Sequence, residues 1–200
     1  MKRVLLFALV LLLLVNHVFG FKQEDIDRLL DTKKCQWCDL SDADLRGSDL
    51  RGVSLIGSDL MNANLSSAEL EGADLRYTNL KNSDLTNAKL KGTDLSFAEM
   101  FASKIDRANL VGAFLVQTNL VHAKIRHSNL KEAVLIQSNM MMTDLSGTSL
   151  TGAYLNGAFL NESNLEGASL LNANLEGALI KGAILCNTIM PDGQINYKDC

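Results

Sequence analysis

The chain has 200 residues, of which 47% are hydrophobic and 21% are charged, and its formal net charge at pH 7 is −4. This length fits a single domain with a sizeable core. The negative charge argues against general nucleic-acid binding, because phosphate backbones are recognised mainly through lysine and arginine.

The first twenty residues have the features of a secretory signal peptide. Lys2 and Arg3 precede an apolar run from Val4 to Val15, and a valine and a glycine stand at the −3 and −1 positions of a cleavage site. An uncleaved anchor is the alternative, but the run is shorter than the ~20 residues that a spanning helix needs. We therefore expect a cleaved signal peptide at residues 1–20 and an exported protein, periplasmic or secreted, with no stable membrane anchor after cleavage.

A short amphipathic segment follows. Ile26, Leu29 and Leu30 recur at helical i, i+3, i+4 spacing among acidic residues. This pattern predicts a short helix with one apolar side. We assign residues 21–37 to an N-terminal cap that consists of this helix and a cysteine pair.

From Leu40 onwards the sequence repeats every five residues. All 31 positions at this spacing up to Met190 are aliphatic: 25 Leu, three Ile and three Met. A period of five suits neither a helix nor a strand, because either would place most of these side chains in water. The chain can keep them on one side only by turning once per repeat, so the sequence predicts a coil around a continuous leucine core.

Two further positions of the repeat support this coil. Two residues before each leucine, the thirty positions from Ala43 to Thr188 hold 16 Ala, seven Ser, six Thr and one valine, Val53, so only small side chains fit there. Two residues after the leucine lie twelve of the fourteen glycines. A corner with a positive φ favours glycine, with asparagine as the second choice.

Segments such as Ala43–Gly47 (ADLRG) and Ala173–Gly177 (ANLEG) resemble the pentapeptide-repeat family, whose repeat is A(D/N)LXX. The resemblance covers roughly residues 38–190. It implies an all-β fold, a right-handed quadrilateral β-helix with four pentapeptides per coil, whereas a period of five alone could also close with three sides. Residues 191–200, which begin with a Pro-Asp-Gly turn signal, are expected to form a C-terminal cap.

The four cysteines form two pairs, one at each end of this coil. Cys35 and Cys38 lie near its start, and Cys186 and Cys200 lie near its end. Because the two ends are far apart, only local pairing is geometrically reasonable, and an oxidising compartment favours two disulfides. A redox CXXC motif and half of a zinc site are weaker alternatives, since the first normally opens a helix and the second needs all its ligands together. Both cysteine-containing segments are also similar to exported members of the family.

No residue pattern indicates catalysis. The repeat contains two histidines, His122 and His127, without a nucleophile triad, paired carboxylates or a glycine-rich phosphate loop. The aspartates that precede many leucines are typical of a solvated face. Calcium binding would need a dedicated oxygen cage, which the repeat does not suggest. We therefore expect no catalytic, cofactor-binding or metal site and no cofactor.

Outward positions that depart from the repeat consensus form a candidate interface. With 20 residues per coil, side chains 20 apart in sequence stack on one face. This register gathers an apolar band in the middle coils, which consists of Tyr77, Phe97, Phe101, Phe114, Val116, Val121, Val134, Ile136, Met141, Met142, Tyr154 and Phe159. Such a patch indicates an interface with an unidentified protein or with a second copy. The alternative is a ladder that only stiffens the sheet.

A charged face lies beside the apolar band. It carries Lys104, Arg107, Lys124, Arg126 and His127, with Lys131 round the corner. We expect Asp106 to lie below Arg126 and to neutralise part of this charge. An ordinary solvated face is the favoured interpretation, and docking of an acidic partner is the alternative.

These features predict an exported, non-enzymatic scaffold that binds another protein through its flat outer faces. Mimicry of DNA toward a topoisomerase, which the family implies for some members, is an alternative that the signal peptide disfavours. A purely structural, stable solenoid is a second alternative. A carbohydrate-processing β-helix enzyme would need a carboxylate cluster, which the sequence does not show.

Overall fold

The computed structural model describes residues 23–200, so the predicted signal peptide at 1–20 lies outside the described part. This part contains one helix, α1 (Gln23–Thr32), and an antiparallel pair of strands, β1 (Thr188–Ile189) and β2 (Ile195–Asn196). The chain between α1 and β1 forms a coil held by short parallel bridges. In the described part, no helix has both the length and the apolar character to cross a bilayer.

The coil repeats every 20 residues. Each bridge joins a residue to the one 20 positions later, from Lys34 with Ser54 to Ser169 with Ile189, and every pairing is parallel. Four pentapeptides therefore complete one turn, which excludes the three-sided alternative. The ladder begins at Lys34, inside the segment that the sequence assigned to the N-terminal cap.

The residue at every fifth position fills the interior. From Leu40 to Leu170 these side chains are at most 2% exposed. Nearly all the small residues two positions earlier are buried beside them, as predicted. Where this small residue is a buried Ser or Thr, its hydroxyl donates to a backbone carbonyl, as Thr118 Oγ1 does to Leu95 O at 2.8 Å. The buried hydroxyls are thereby satisfied, which removes the cost of burying them unpaired.

Each corner of the coil places one residue in the left-handed region. All thirty positions two residues after a core residue, from 42 to 187, have φ between 53° and 75°. The next amide donates back across the corner, as Ala113 N does to Leu110 O at 3.0 Å. Glycine occupies twelve of these positions, and eighteen carry side chains, including Tyr77 and Phe97. Positive φ therefore explains the glycine preference, but larger residues are tolerated because their side chains point outward.

Helix α1 covers the N-terminal end of the coil. Glu24 and Asp25 in its first turn complement the helix dipole. Leu29 is completely buried against the first coil, and Ile26 packs beside it. Leu30, which the sequence placed on the apolar side, is 54% exposed, because it lies about 100° round the helix from Leu29.

Polar side chains in and after α1 also pair with the backbone edge of the first coil. Asp25 Oδ2 accepts a hydrogen bond from Asp39 N at 2.8 Å, and the Lys33 ammonium donates to Asp49 O. Arg28 forms an ion pair with the Asp25 carboxylate at 2.5 Å and holds it in this position. These contacts cover part of an edge that would otherwise be open to pairing with another chain.

A disulfide closes each end of the solenoid. Cys35 is bonded to Cys38 and Cys186 to Cys200, with Cα atoms 5.4 Å and 4.8 Å apart, as the local pairing predicted. After the last coil, β2 returns antiparallel to β1. The C-terminal tail therefore covers one of the four sides of the last coil.

Replacing Leu120 by Asp should unfold the central coils, because the charge would be buried without a partner at a cost of several kcal/mol. The control is Val121→Asp, which introduces the same charge one residue later on an outward, half-buried side chain. Chemical denaturation followed by circular dichroism measures both variants. Equal unfolding midpoints would contradict the inward assignment of Leu120.

Mass spectrometry of the non-reduced protein should find both local disulfides and no free thiol. Reduction should increase amide hydrogen exchange at the two ends and leave the middle coils protected, because each bridge closes only a short loop. The matched control is a variant in which all four cysteines are serine, whose exchange should not respond to the reductant. Titratable thiols in protein from an oxidising compartment would refute this pairing.

Candidate functional site

Outward side chains stand one residue before and one residue after each core residue, so the solenoid has four flat outer faces. Face A surrounds the core residues Leu75, Leu95, Leu115, Leu135 and Leu155, and face B surrounds Met100, Leu120, Met140 and Leu160. The chain passes from face A to face B through one corner in each coil.

All twelve residues of the apolar band point outward. Seven of them are exposed: Tyr77, Phe97, Phe101, Phe114, Met142, Tyr154 and Phe159. The other five are half-buried: Val116, Val121, Val134, Ile136 and Met141. Since none contributes to the interior, these side chains are available for contact with another molecule.

Polar amides divide this band. Gln117 and Gln137 occupy the corner between faces A and B, where Gln117 Nε2 donates to Gln137 Oε1 at 2.9 Å. Asn119 and Asn139 line the adjoining edge of face B, where Asn119 Nδ2 donates to Glu99 Oε2 at 2.9 Å. The apolar residues are therefore not the continuous patch that the sequence predicted.

The middle coils carry two separate apolar strips. Strip A lies on face A and consists of Phe114, Val116, Val134, Ile136 and Tyr154. Strip B lies on face B and its far corner and consists of Phe101, Val121, Met141 and Met142. Bridges join Phe114 to Val134 and Val134 to Tyr154, so strip A extends over three successive coils. Each strip is a flat apolar surface bordered by polar side chains.

Aromatic rings follow the corner between faces A and B toward the N-terminus. Tyr77 and Phe97 stack with ring centroids 4.9 Å apart and planes at 5°. Trp37 is 76% exposed, and its ring lies over Gly57, where an added Cβ would collide with it. Sequence reasoning missed Trp37. The available signal was its position 20 residues before Gly57 and 40 residues before Tyr77, which places all three in one column of the coil. The stacking of Tyr77 and Phe97 favours a stiffening role for that pair.

The charged face, face C, follows face B along the chain. Arg126 donates to Asp106 at 3.1 Å from Nε and 2.5 Å from Nη2, which confirms the expected pair. Burial raises the pKa of the Asp106 carboxyl, but hydrogen bonds from the Arg126 side chain and backbone outweigh burial and hold the pKa below its usual value. Arg107 and His127 border a shallow cleft of about 340 Å³ beside this pair. Because Arg126 is occupied by an internal carboxylate, the geometry favours an ordinary charged face.

A cluster of possible metal ligands lies under α1. Oxygen or sulfur atoms of Asp25, Cys35 and Cys38 lie within 4.8 Å of one another. The two sulfurs are joined in a disulfide, and Arg28 Nη2 lies 2.8 Å from Cys38 Sγ. A disulfide supplies no thiolate ligand, and the guanidinium occupies the position beside the carboxylate that a cation would take. The cluster therefore fits a structural cap.

The fold and surface define a four-sided solenoid with a period of five and a variable outer surface. Pentapeptide repeats, in eight copies, match residues 38–76, 68–104, 103–141 and 143–182. The chain therefore belongs to the pentapeptide-repeat family. No curated protein sequence matches the chain significantly.

Several solved pentapeptide-repeat structures align with this chain. HetL, involved in heterocyst differentiation regulation in the cyanobacterium Nostoc sp. strain PCC 7120, is 26% identical over 88% of this chain and 99% of HetL, with a TM-score of 0.43. QnrB1, a plasmid-mediated fluoroquinolone resistance protein, is 20% identical over 83% of this chain and 86% of QnrB1, with a TM-score of 0.48. Rfr23 from the cyanobacterium Cyanothece 51142 is 21% identical over 84% of this chain and 98% of Rfr23, with a TM-score of 0.35. Family membership therefore rests on the repeat match and not on these alignments.

Replacing Arg126 by Gln should raise the pKa of the Asp106 carboxyl, because burial persists while the charged donor is lost. In the native chain the lowered pKa stabilises the fold above about pH 4, and this stability is lost as the pH falls through the folded pKa. At neutral pH the free energy of unfolding of the variant should be lower by about 1 kcal/mol or less. This free energy should also fall less than that of the native chain when the pH is lowered. Carboxyl NMR titration and urea denaturation at neutral and acid pH measure these effects.

The matched control is Arg107→Gln, on the same face but outside the ion pair. It should leave the Asp106 pKa unchanged. An identical Asp106 titration in the native chain and the Arg126→Gln variant would show that the ion pair does not form in solution.

Proposed function

We propose that this chain is an exported, non-enzymatic, right-handed quadrilateral β-helix that binds another protein through strips A and B. The observation that carries the proposal is the exposure of Phe114 and Tyr154 on one flat face. These side chains add nothing to the interior, which the period of five already fills. Contiguous exposed apolar side chains mark sites of contact with another molecule.

The shape of the strips favours a protein as the partner. Small ligands are held in concave sites, whereas strips A and B lie on flat sides of the solenoid. Aromatic anchors such as Phe101, Phe114 and Tyr154 are the residue type that dominates binding energy at protein interfaces. The amide ladder between the strips requires a partner that covers both strips to supply hydrogen-bonding groups opposite Gln117 and Asn119.

Two features support export. Residues 1–20 have the charge, apolar run and small residues of a signal peptide. The two disulfides fit a compartment outside the reducing cytosol, where such bonds persist. An exported scaffold would meet its partner in the same oxidising compartment.

Mimicry of DNA is less well supported by the surface. A mimic would need a run of carboxylates free to stand in for phosphates. In the N-terminal coils, ion pairs join Asp44 to Arg46 at 2.6 Å and Asp74 to Arg76 at 2.7 Å. Arg76 also lies 3.7 Å from Asp94 in the next coil. These arginines neutralise the acidic side chains within their own face.

Replacing Phe101 and Phe114 together by Glu should weaken partner binding by about tenfold or more, because a charge would enter each strip. Crosslinking in the compartment where the protein resides, followed by mass spectrometry, identifies the partners of the native chain. Binding of each partner to the native and variant chains is then measured with purified proteins. The single variants show whether strip A, strip B or both make the contact.

The matched control replaces Met61 and Val111 by Glu, which adds the same charge on outward positions outside both strips. This variant should keep every partner. If the Phe101 and Phe114 variant remains folded by circular dichroism and also keeps every partner, the strips are only stiffening ladders and the purely structural alternative holds.

A further inference from the structure

The corner that follows face C carries two basic side chains without an internal partner. Arg107 and His127 occupy this corner in successive coils, so their backbones lie about 4.8 Å apart. Both side chains are exposed. Among residues 23–200, the Arg107 guanidinium and the His127 ring form neither an ion pair nor a hydrogen bond. Their donors are therefore available to a ligand.

Most other charges of face C are matched within the face. Lys104 Nζ lies 4.0 Å from the Asp84 carboxylate. Asp106 Oδ1 accepts from Arg126 N at 3.0 Å and from Nε at 3.1 Å, and Oδ2 accepts from Nη2 at 2.5 Å. Both oxygens of Asp106 are thus engaged, so this carboxylate does not bind the corner side chains. Lys124 forms no ion pair within the described part, but it does not border the cleft.

The cleft beside Arg107 and His127 is the concave part of this surface. Its volume is about 340 Å³, and Thr86, Asp106 and Arg126 complete its lining. Two guanidinium groups face one carboxylate, so the lining is positive even when His127 is neutral. The Thr86 hydroxyl forms no hydrogen bond to any residue of the described part. The cleft therefore offers a small anion both net charge and free donors, whereas strips A and B are flat and apolar.

A glycine leaves space for the His127 ring. The ring lies over Gly147 in the next coil, where an added Cβ would be 2.4 Å from His127 Nδ1. Because Gly147 has no side chain, the ring can lean toward it and away from Arg107 in the preceding coil. This position keeps room for a ligand between the imidazole and the guanidinium.

The donors select the chemistry of the ligand. A guanidinium donates two parallel hydrogen bonds to a carboxylate or to a phosphate. A carboxylate has two oxygens in one plane, which Arg107 alone would occupy. A phosphate group has further oxygens that point in other directions and can accept from the His127 ring and the Thr86 hydroxyl. The arrangement of the three side chains therefore fits a phosphate better than a carboxylate.

We propose that this cleft binds a phosphate group, either as the free ion or on a small molecule. Arg107 is the main anchor, His127 and Thr86 supply the other donors, and the Arg126–Asp106 pair forms the floor. This cleft lies on a different face from strips A and B. The inference does not depend on the proposed function.

Titration of the isotope-labelled chain with inorganic phosphate, followed by NMR, tests this inference with both disulfides intact. We expect saturable shifts of the Thr86, Arg107 and His127 resonances. Replacing Arg107 by Gln should weaken phosphate binding by about tenfold or more, because it removes charge-assisted hydrogen bonds. The matched control is Lys124→Gln, which removes a cation from the same face outside the cleft. This control should weaken binding by less than about threefold, because salt screens a distant exposed charge.

A second variant alters the shape of the cleft and keeps every donor. Asparagine occupies the same corner at Asn87 with a positive φ, so Gly147→Asn is compatible with the fold. Its Cβ should displace the His127 ring toward Arg107 and weaken phosphate binding. Phosphate binding as tight as in the native chain would contradict the role of the His127 ring.

Glycerol 3-phosphate distinguishes the two sources of the phosphate group. If this monoester binds at least as tightly as the free ion, the ligand is a phosphorylated small molecule, and weaker binding indicates inorganic phosphate. Shifts that sodium chloride reproduces at the same ionic strength would overturn the inference, because they report screening and not a site. Binding that the Arg107→Gln variant retains in full would overturn it as well.

Discussion

The rest of this structure depends on two requirements that must be met together. One aliphatic residue in every five must be buried, and the backbone between these residues must remain hydrogen-bonded. A turn in each repeat satisfies the first part, and pairing with the coils above and below satisfies the second. Leu95 N donates to Phe114 O at 2.7 Å, and equivalent bonds recur along the solenoid. The core and backbone are therefore nearly uniform, so the coils differ from one another on their outer faces and at the two ends.

Stacking at 20-residue intervals organises the outer surface into columns. Tyr77 stacks on Phe97, and Gln117 donates to Gln137 in the same corner two coils further on. These neighbours behave as cross-strand pairs, so a substitution changes the local column without disturbing the interior. The corners favour glycine through their positive φ but do not limit side-chain size, since residues as large as tyrosine occupy the left-handed position. Such a solenoid can change its outer surface while it keeps its fold.

The two ends of the solenoid differ in how their exposed backbone edges are covered. At the N-terminus, α1 supplies Leu29 for the core and Asp25 for an edge amide. At the C-terminus, the tail covers one side and is held by the Cys186–Cys200 bond. Among residues 23–200, the edge amides of Leu175, Ile180 and Leu185 in the last coil therefore have no hydrogen-bond partner, whereas α1 covers part of the edge of the first coil.

The sequence by itself determined the inward column, the small residues beside it, the corners and the local cysteine pairs, because each follows from a period of five or from a position at one end. Four-sided closure followed from the family resemblance, and the constant offset of 20 residues establishes it. Tertiary structure decided that Trp37 lies over Gly57, that Gln117 and its neighbours split the apolar band, and that amides of the last coil lack partners within residues 23–200. These features depend on which residues of different coils become neighbours and on which backbone groups find a hydrogen-bond partner. The five-residue period along the chain specifies neither of these.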